Sequence, residues 1–328
     1  MLSLIVNPAS GGGRAGRLLP RVVAELDRRG AAHEVNTTTD LPHARELAVA
    51  AARAGHVPVA FGGDGLIGAV IGALRHSGIA VGVLPGGRGN DFARVLGIPL
   101  DPVAACAVLI DGAALTIDLG VIGERVFIGI ATCGFDSIAN RIANAARIVR
   151  GNLVYTYGGL RALATWTPAT FEIVLDGETR SVHGYTVATA NTGAYGGGML
   201  LAPDADPSDG RFDVVLIAHC GRLRFLGALP RVFRGTHLAL ANVEVVRASE
   251  VRISADRPFT VYADGDPIAE LPATIRLDAG AARVLVPAAA VDGAATAAGR
   301  TGAVPDGTPT APAGTGAEAE RAGTEARG

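Results

Sequence analysis

The chain has 328 residues, 49% hydrophobic and 18% charged, with a formal net charge of −2; that is enough apolar material for two cores, and no charge excess marks nucleic acid as a partner. All 29 Lys+Arg positions are arginine, which excludes a P-loop lysine, a protein-kinase strand lysine and a Schiff-base lysine. Three scattered cysteines, Cys106, Cys133 and Cys220, fit neither a disulfide framework nor a zinc site and suit a reducing cytoplasm.

In chain order, Leu2–Val6 is a short apolar run read as a strand. It has no basic segment before it and is too short for a secretion signal. A helix is expected at 14–29, a strand at 32–36, a helix at 43–54, a strand at 57–61, a helix at 67–76, a strand at 79–84 and a helix at 90–96. This alternation predicts a parallel sheet with helices on both faces. Beyond residue 125 strands dominate, at 126–131, 171–175, 185–190, 212–217, 251–253, 259–262 and 274–277. Asp176-Gly177 reads as a hairpin turn, and helices are expected at 137–146, 154–163 and 223–233. The stretch 291–328 is Ala, Gly, Thr and Pro without periodicity, and disorder is expected there. No run approaches the roughly 18 apolar residues of a membrane span, so any membrane contact is expected to be peripheral.

Three of the predicted strands run into glycine-rich turns that lead to helices: Asn7-Pro8-Ala9-Ser10-Gly11-Gly12-Gly13, Gly62-Gly63-Asp64-Gly65 and Leu84-Pro85-Gly86-Gly87-Arg88-Gly89-Asn90-Asp91. Glycine lets backbone N–H groups approach phosphate oxygens at a helix start. Asp64 and Asp91, on one rim, are suited to hold hydrated Mg²⁺ on a triphosphate. The alternatives are an N-cap for Asn90 and a complement to the helix dipole for Asp91. Gly11-x-Gly13-x-x-Gly16 also spells a dinucleotide fingerprint. Residues 7–10 intervene, however, and the second strand ends in Asn36-Thr37-Thr38 with no acid, which argues against a Rossmann site.

Together with Phe92-Ala93-Arg94 after the third turn, these motifs resemble the diacylglycerol kinase catalytic domain in its bacterial lipid-kinase form. The likeness continues through Asp118-Leu119-Gly120, Gly134-Phe135-Asp136, Tyr195-Gly196-Gly197-Gly198-Met199, Ala202-Pro203 and Asp209-Gly210-Arg211-Phe212-Asp213. Gly235-Thr236-His237, Asp264-Gly265-Asp266 and Val284-Leu285-Val286-Pro287 complete it, covering about residues 1–290.

The resemblance implies an N-terminal α/β domain similar to NAD kinases and phosphofructokinases (1–123) and a C-terminal antiparallel β-sandwich (124–283). A terminal strand (284–290) would return to the first domain, and the active site would lie in the cleft between domains. ATP would be bound by Asn7, Pro8, Ala9, Ser10, Gly11, Thr38, Gly62, Gly63, Asp64, Gly65, Leu66, Ile67, Gly68, Arg88, Asn90 and Asp91. Asp64, Asp91 and Asp118 would share an aspartate–water–Mg²⁺ network, and Asp206, Asp209 and the Arg211 carbonyl a structural metal. Asp266 would be the catalytic base, with Asp264 beside it. The implied activity is transfer of the γ-phosphoryl group of ATP to the hydroxyl of diacylglycerol or a related lipid. The implied setting is cytoplasmic, at the inner membrane face, with a homodimer as one possible state.

Several residues depart from that pattern. Leu66 stands where threonine is usual, Ala69 where glutamate is frequent, Arg88 where threonine is common, and Asp266, one methylene shorter, where glutamate is found. An added arginine near the phosphates would offset the missing lysine. Leu223, Leu226, Leu229 and Phe233 recur near helical spacing among Arg222, Arg224, Arg231 and Arg234, and Arg141, Arg147, Arg150 and Arg161 would extend this basic set. It reads either as a face for anionic headgroups or as a helix packed on its own domain with solvated arginines. Two alternatives to the lipid kinase are a soluble-acceptor kinase of the NAD kinase type and a non-catalytic nucleotide- or lipid-binding regulator.

Overall fold

The computed structural model describes residues 1–145 and 153–291. Residue 146, Arg147, Arg150 and all but the first residue of the tail expected to be disordered lie outside them. The first domain alternates β1 (Leu2–Val6), α1 (Ser10–Arg28), β2 (His33–Thr37), α2 (Leu41–Arg53), β3 (Val57–Gly62), α3 (Asp64–Ala73), β4 (Ala80–Pro85) and α4 (Asp91–Val95). The strands are parallel in the order β2-β1-β3-β4, with Ile5 opposite Asn36 and Ala60, and Val59 opposite Gly82. All five residues of β1 are buried, as a strand covered on both faces requires. Leu4, Ile5, Phe61, Ile67, Ile71 and Leu84 are fully buried in the core of this domain.

Two elements here escaped the sequence reading: α5 (Pro102–Asp111) and β5 (Ala113–Ile122). Helix α5, PVAACAVLID, is apolar nearly all round, so it carries no 3.6-residue stripe to read. Its start is marked instead by Pro102 and by Asp101, whose Oδ1 accepts from Val103 N–H at 3.2 Å.

The second domain contains β6 (Arg125–Phe127), β7 (Ile130–Gly134), α6 (Phe135–Ala145), α7 (Leu153–Thr165), β8 (Ala169–Leu175), β9 (Glu178–Ala190), β10 (Ala194–Tyr195) and β11 (Met199–Leu200). It continues with β12 (Phe212–Ala218), α8 (Arg222–Val232), β13 (Val243–Ala248), β14 (Glu250–Ala255), β15 (Thr260–Ala263) and β16 (Asp266–Glu270). Its pairings are antiparallel. The hairpin expected at Asp176-Gly177 joins β8 to β9, with Leu175 opposite Glu178 and both turn residues at positive φ. Phe127, Phe171, Tyr185 and Phe212 are fully buried in its core.

Strand β17 (Ala273–Val286) belongs to both halves. Its first residues pair with β14, its last pair in parallel with β4 (Arg283 opposite Ala80), and β5 runs antiparallel along it. The register shifts between Asp278 and Ala282, where Gly280 takes φ 61°. One chain segment therefore stitches the two cores side by side and fixes the cleft between them.

Candidate active site

Parallel strands deliver their C-terminal ends to one edge, so the turns after β1, β3 and β4 meet there. They meet backbone to backbone. A Cβ on Gly11 would lie 2.5 Å from the Gly86 carbonyl oxygen, one on Gly62 3.1 Å from Ser10 Oγ, and one on Gly87 2.6 Å from Gly63 Cα. Gly11, Gly12 and Gly13 take φ of 62°, 69° and 85°, the left-handed region that glycine enters at no steric cost. Regular helix begins only at Arg14, which is where the sequence expectation begins it.

Side chains pin these turns. Asn7 Oδ1 accepts from Ala9 N–H at 3.1 Å, while Pro8 and Ala9 lie exposed on the crest. Asn90, at φ 52°, accepts from Gly87 N–H at 2.8 Å and donates through Nδ2 to Gly87 O at 3.2 Å. It makes no side-chain cap on α4, so it clasps the loop, and the N-cap alternative does not hold. Thr38 is buried, with its hydroxyl donating to Asp40 O at 2.6 Å. Leu66 and Ile67 turn into the core; their N–H groups already donate to Gly63 O at 3.0 and 3.1 Å. Arg88 is exposed and forms no ion pair with any described residue.

Asp64 and Asp91 come together. Asp64 accepts from Asp91 N–H at 3.4 Å and Phe92 N–H at 3.2 Å. Burial raises the Asp64 pKa above its ordinary value; the Phe92 N–H opposes that rise and the nearby Asp91 charge adds to it. Asp91 Oδ2 accepts from Gly197 N–H of the second domain at 2.7 Å, while its Oδ1 is buried without a hydrogen-bond partner. Two adjacent acids with one buried oxygen unanswered make a donor set suited to a divalent cation. Among the described residues no three His, Cys, Asp or Glu side chains form a metal site. Mg²⁺ held here would take its remaining ligands from phosphate and water, its ordinary habit.

Asp118 does not share a hydrogen bond with that pair. Its two oxygens accept from Gly210 N–H at 2.8 Å and Gly280 N–H at 2.7 Å, tying β5 to the bend of β17 and to the 204–211 loop. In that loop Asp206 Oδ1 accepts from Ser208 N–H and Oγ–H at 2.9 and 2.6 Å. Asp209 accepts from Arg211 N–H at 3.0 Å and is ion-paired to Arg247, whose Nε lies 3.5 Å from Asp213. A guanidinium already sits on the carboxylate of Asp209.

Across the cleft, the β15–β16 turn carries Asp264 and Asp266. Asp264, at φ 51°, accepts from Ile128 N–H and Gly129 N–H at 2.9 Å each. Burial, opposed by these N–H groups and reinforced by the Asp64 charge, pushes its pKa up to about 7. Asp266 is exposed, and its Oδ2 lies 3.9 Å from where a Cβ on Gly65 would stand. A groove of about 490 Å³ joins these elements, lined among others by Gly65, Gly68, Ala69 and Gly72 of α3 and by Asp264 and Asp266. Arg45, Arg75 and Arg125 also line it. No motif announces those three, nor the buried Asn191, whose Nδ2 donates to the carbonyls of Asp118 (2.9 Å) and Ile128 (3.1 Å), and the glycine motif at 195–199 does not name Asp91 as the partner of Gly197. Contacts that join distant segments leave no local signal.

Comparison with known proteins agrees in both halves. Residues 1–122 match the family described as "Diacylglycerol kinase catalytic domain" and residues 129–286 the one described as "YegS C-terminal NAD kinase beta sandwich-like domain". A "Diacylglycerol kinase" of Mycobacterium tuberculosis (strain ATCC 25618 / H37Rv) is 36% identical over 294 residues, 87% of this chain and 95% of that protein. One of Bacillus subtilis (strain 168) is 29% identical over 270 residues, 80% of this chain and 88% of its own length. The crystal structure of a diacylglycerol kinase from Bacillus anthracis str. Sterne superposes with a TM-score of 0.67 at 20% identity, over 88% of this chain and 97% of that one, a likeness of fold.

Proposed function

Because the chain belongs to the diacylglycerol kinase family, and so is a kinase acting on an alcohol group of a lipid, we propose that its phosphoryl donor is ATP with Mg²⁺ and its acceptor diacylglycerol or a related lipid. One observation carries this reading: Asp266 of the second domain stands over Gly65 in the first turn of α3, beside the Asp64–Asp91 pair.

The phosphates lie against the three interlocked glycine turns, where helix-start N–H groups and arginine take the role lysine plays elsewhere. Bound Mg²⁺ would neutralise phosphate charge as it develops in transfer; Asp64 and Asp91 are the residues that would hold it. The nucleotide extends along the α3 groove toward Arg45, Arg75 and Arg125. Asp266 accepts the proton of the lipid hydroxyl as that oxygen attacks the γ-phosphorus. Asp264, fixed by two N–H donors, shapes the turn that presents Asp266. We assign no second metal to the 204–211 loop, because Arg247 already neutralises Asp209. Asp118, with both oxygens taken by backbone N–H groups, is given a bracing role.

The test is transfer of the γ-phosphate of labelled ATP to lipid in mixed micelles. An organic-extractable labelled product that depends on Mg²⁺ is expected. Label appearing only in water-soluble product would favour a soluble acceptor, and tight ATP binding without turnover on a lipid panel would favour a regulator.

A further inference from the structure

Helix α8 is held to its domain along one side. Phe225 stacks on Tyr185 at 4.1 Å and meets Phe135 edge-on at 4.9 Å, while Arg222 Nη2 donates to Trp166 O at 2.9 Å. The helix also turns apolar residues outward. Leu223 is 86% exposed, Phe233 just past its end 56%, Leu226 38% and Leu229 37%. Residues 223, 226 and 233 follow i, i+3, i+10 spacing and share one face about 120° around from Phe225. A single exposed leucine needs no explanation, but a row of large apolar side chains does.

The charge of the segment that carries this row has one sign. Between Asp213 and Glu244 there is no acidic residue, while Arg222, Arg224, Arg231 and Arg234 all fall there. Arg224, Arg231 and Arg234 form no ion pair with any described residue. Exposed apolar side chains flanked by unpaired arginine match a surface with an apolar interior and anionic headgroups. A second copy of the chain meeting this one symmetrically through α8 would set arginine against arginine.

We propose that the outer face of α8 docks this protein onto an anionic lipid bilayer, with Leu223 and Phe233 entering the headgroup–acyl boundary and Arg224, Arg231 and Arg234 on the headgroups. The proposal rests on the lipid-kinase reading and names the face that meets the membrane holding the substrate. Its test needs no turnover, so the two can fail separately.

The full chain is floated with vesicles of phosphatidylcholine alone and with about 30 mol% phosphatidylglycerol, where each arginine near the surface contributes about 1 kcal/mol. Binding only to the anionic vesicles is expected. Arg224→Gln, Arg231→Gln and Arg234→Gln should each lower partitioning by about fivefold, the ratio that 1 kcal/mol represents. Leu223→Glu with Phe233→Glu should lower it by at least about tenfold, with the milder Leu223→Ser/Phe233→Ser pair intermediate. Unchanged thermal melting shows that these exposed changes leave the fold intact, and activity in detergent micelles should stay within about twofold. Vesicle binding that survives the double variant, or no binding to anionic vesicles by protein active in micelles, overturns the docking face. A dimer that the double variant splits, without vesicle binding, overturns it in favour of a second copy. Vesicle binding without kinase activity on any lipid would spare the docking face and sink the lipid-kinase reading.

Discussion

The two walls of the cleft are built from different materials. On the first domain the wall is main chain: three turns in which Gly11, Gly62 and Gly87 leave no room for a Cβ. On the second it is side chain, Asp264 and Asp266 on a turn braced by the backbone of residues 128 and 129. Backbone amides bind phosphate whatever hydroxyl is to be phosphorylated, whereas the acceptor side needs a carboxylate at one point. Nucleotide binding and phosphoryl transfer should therefore be separable by mutation.

Asp266→Asn should separate them most sharply. Loss of a general base costs about 10²–10⁴-fold in rate; a fall of that size in kcat, with ATP affinity changed by less than about threefold, is expected from steady-state kinetics and titration. Retained activity would move the base elsewhere, with Asp264 next in line. Gly87→Ala should do the reverse. Its Cβ would fall 2.6 Å from Gly63 Cα, a backbone atom that cannot swing aside, and overpacking of this kind costs about 1–3 kcal/mol. Melting should show that loss, and ATP titration at least about tenfold weaker binding.

A smaller effect sharpens the contrast through pH. The Asp264 pKa lies near 7 in the folded protein against an ordinary 3.8, so the folded state keeps a proton that the unfolded chain releases. Stability from this group is full below about pH 4, falls as pH rises toward 7 and is level above. Asp264→Asn leaves an N–H unpaired at all pH, so it starts less stable, and its deficit against the parent should shrink across that window. A deficit independent of pH would mean that Asp264 is ionised throughout. Smallest of all, a chelator should leave the melting temperature of the nucleotide-free protein within about a degree, because Arg247 holds Asp209 where a metal was expected; the exposed character of that pair keeps its own contribution small.

The same division explains what could be read in advance. The parallel half was legible because strand, turn and helix alternate within some thirty residues and every glycine turn follows its strand directly. Helix α5 was not, for want of a polar face. The pairing of Asp64 with Asp91 followed from both turns ending on one edge. The partners of Asp118 did not, because one of them, Gly280, lies 162 residues away in a bend of β17. The Arg247–Asp209 contact likewise joins the loop before β12 to β13, and it follows from the register that sets Asp213 opposite Arg247. Motif spelling carried the acids into view; topology decided which of them meet.

The most direct test is calorimetry of ATP against the parent protein and Asp64→Asn, each with Mg²⁺ and with chelator. Binding should be strengthened by Mg²⁺ in the parent and lose this dependence in the variant, with weak residual affinity from the glycine turns in both. Equal affinity in all four titrations would contradict the role of Asp64 in holding Mg²⁺.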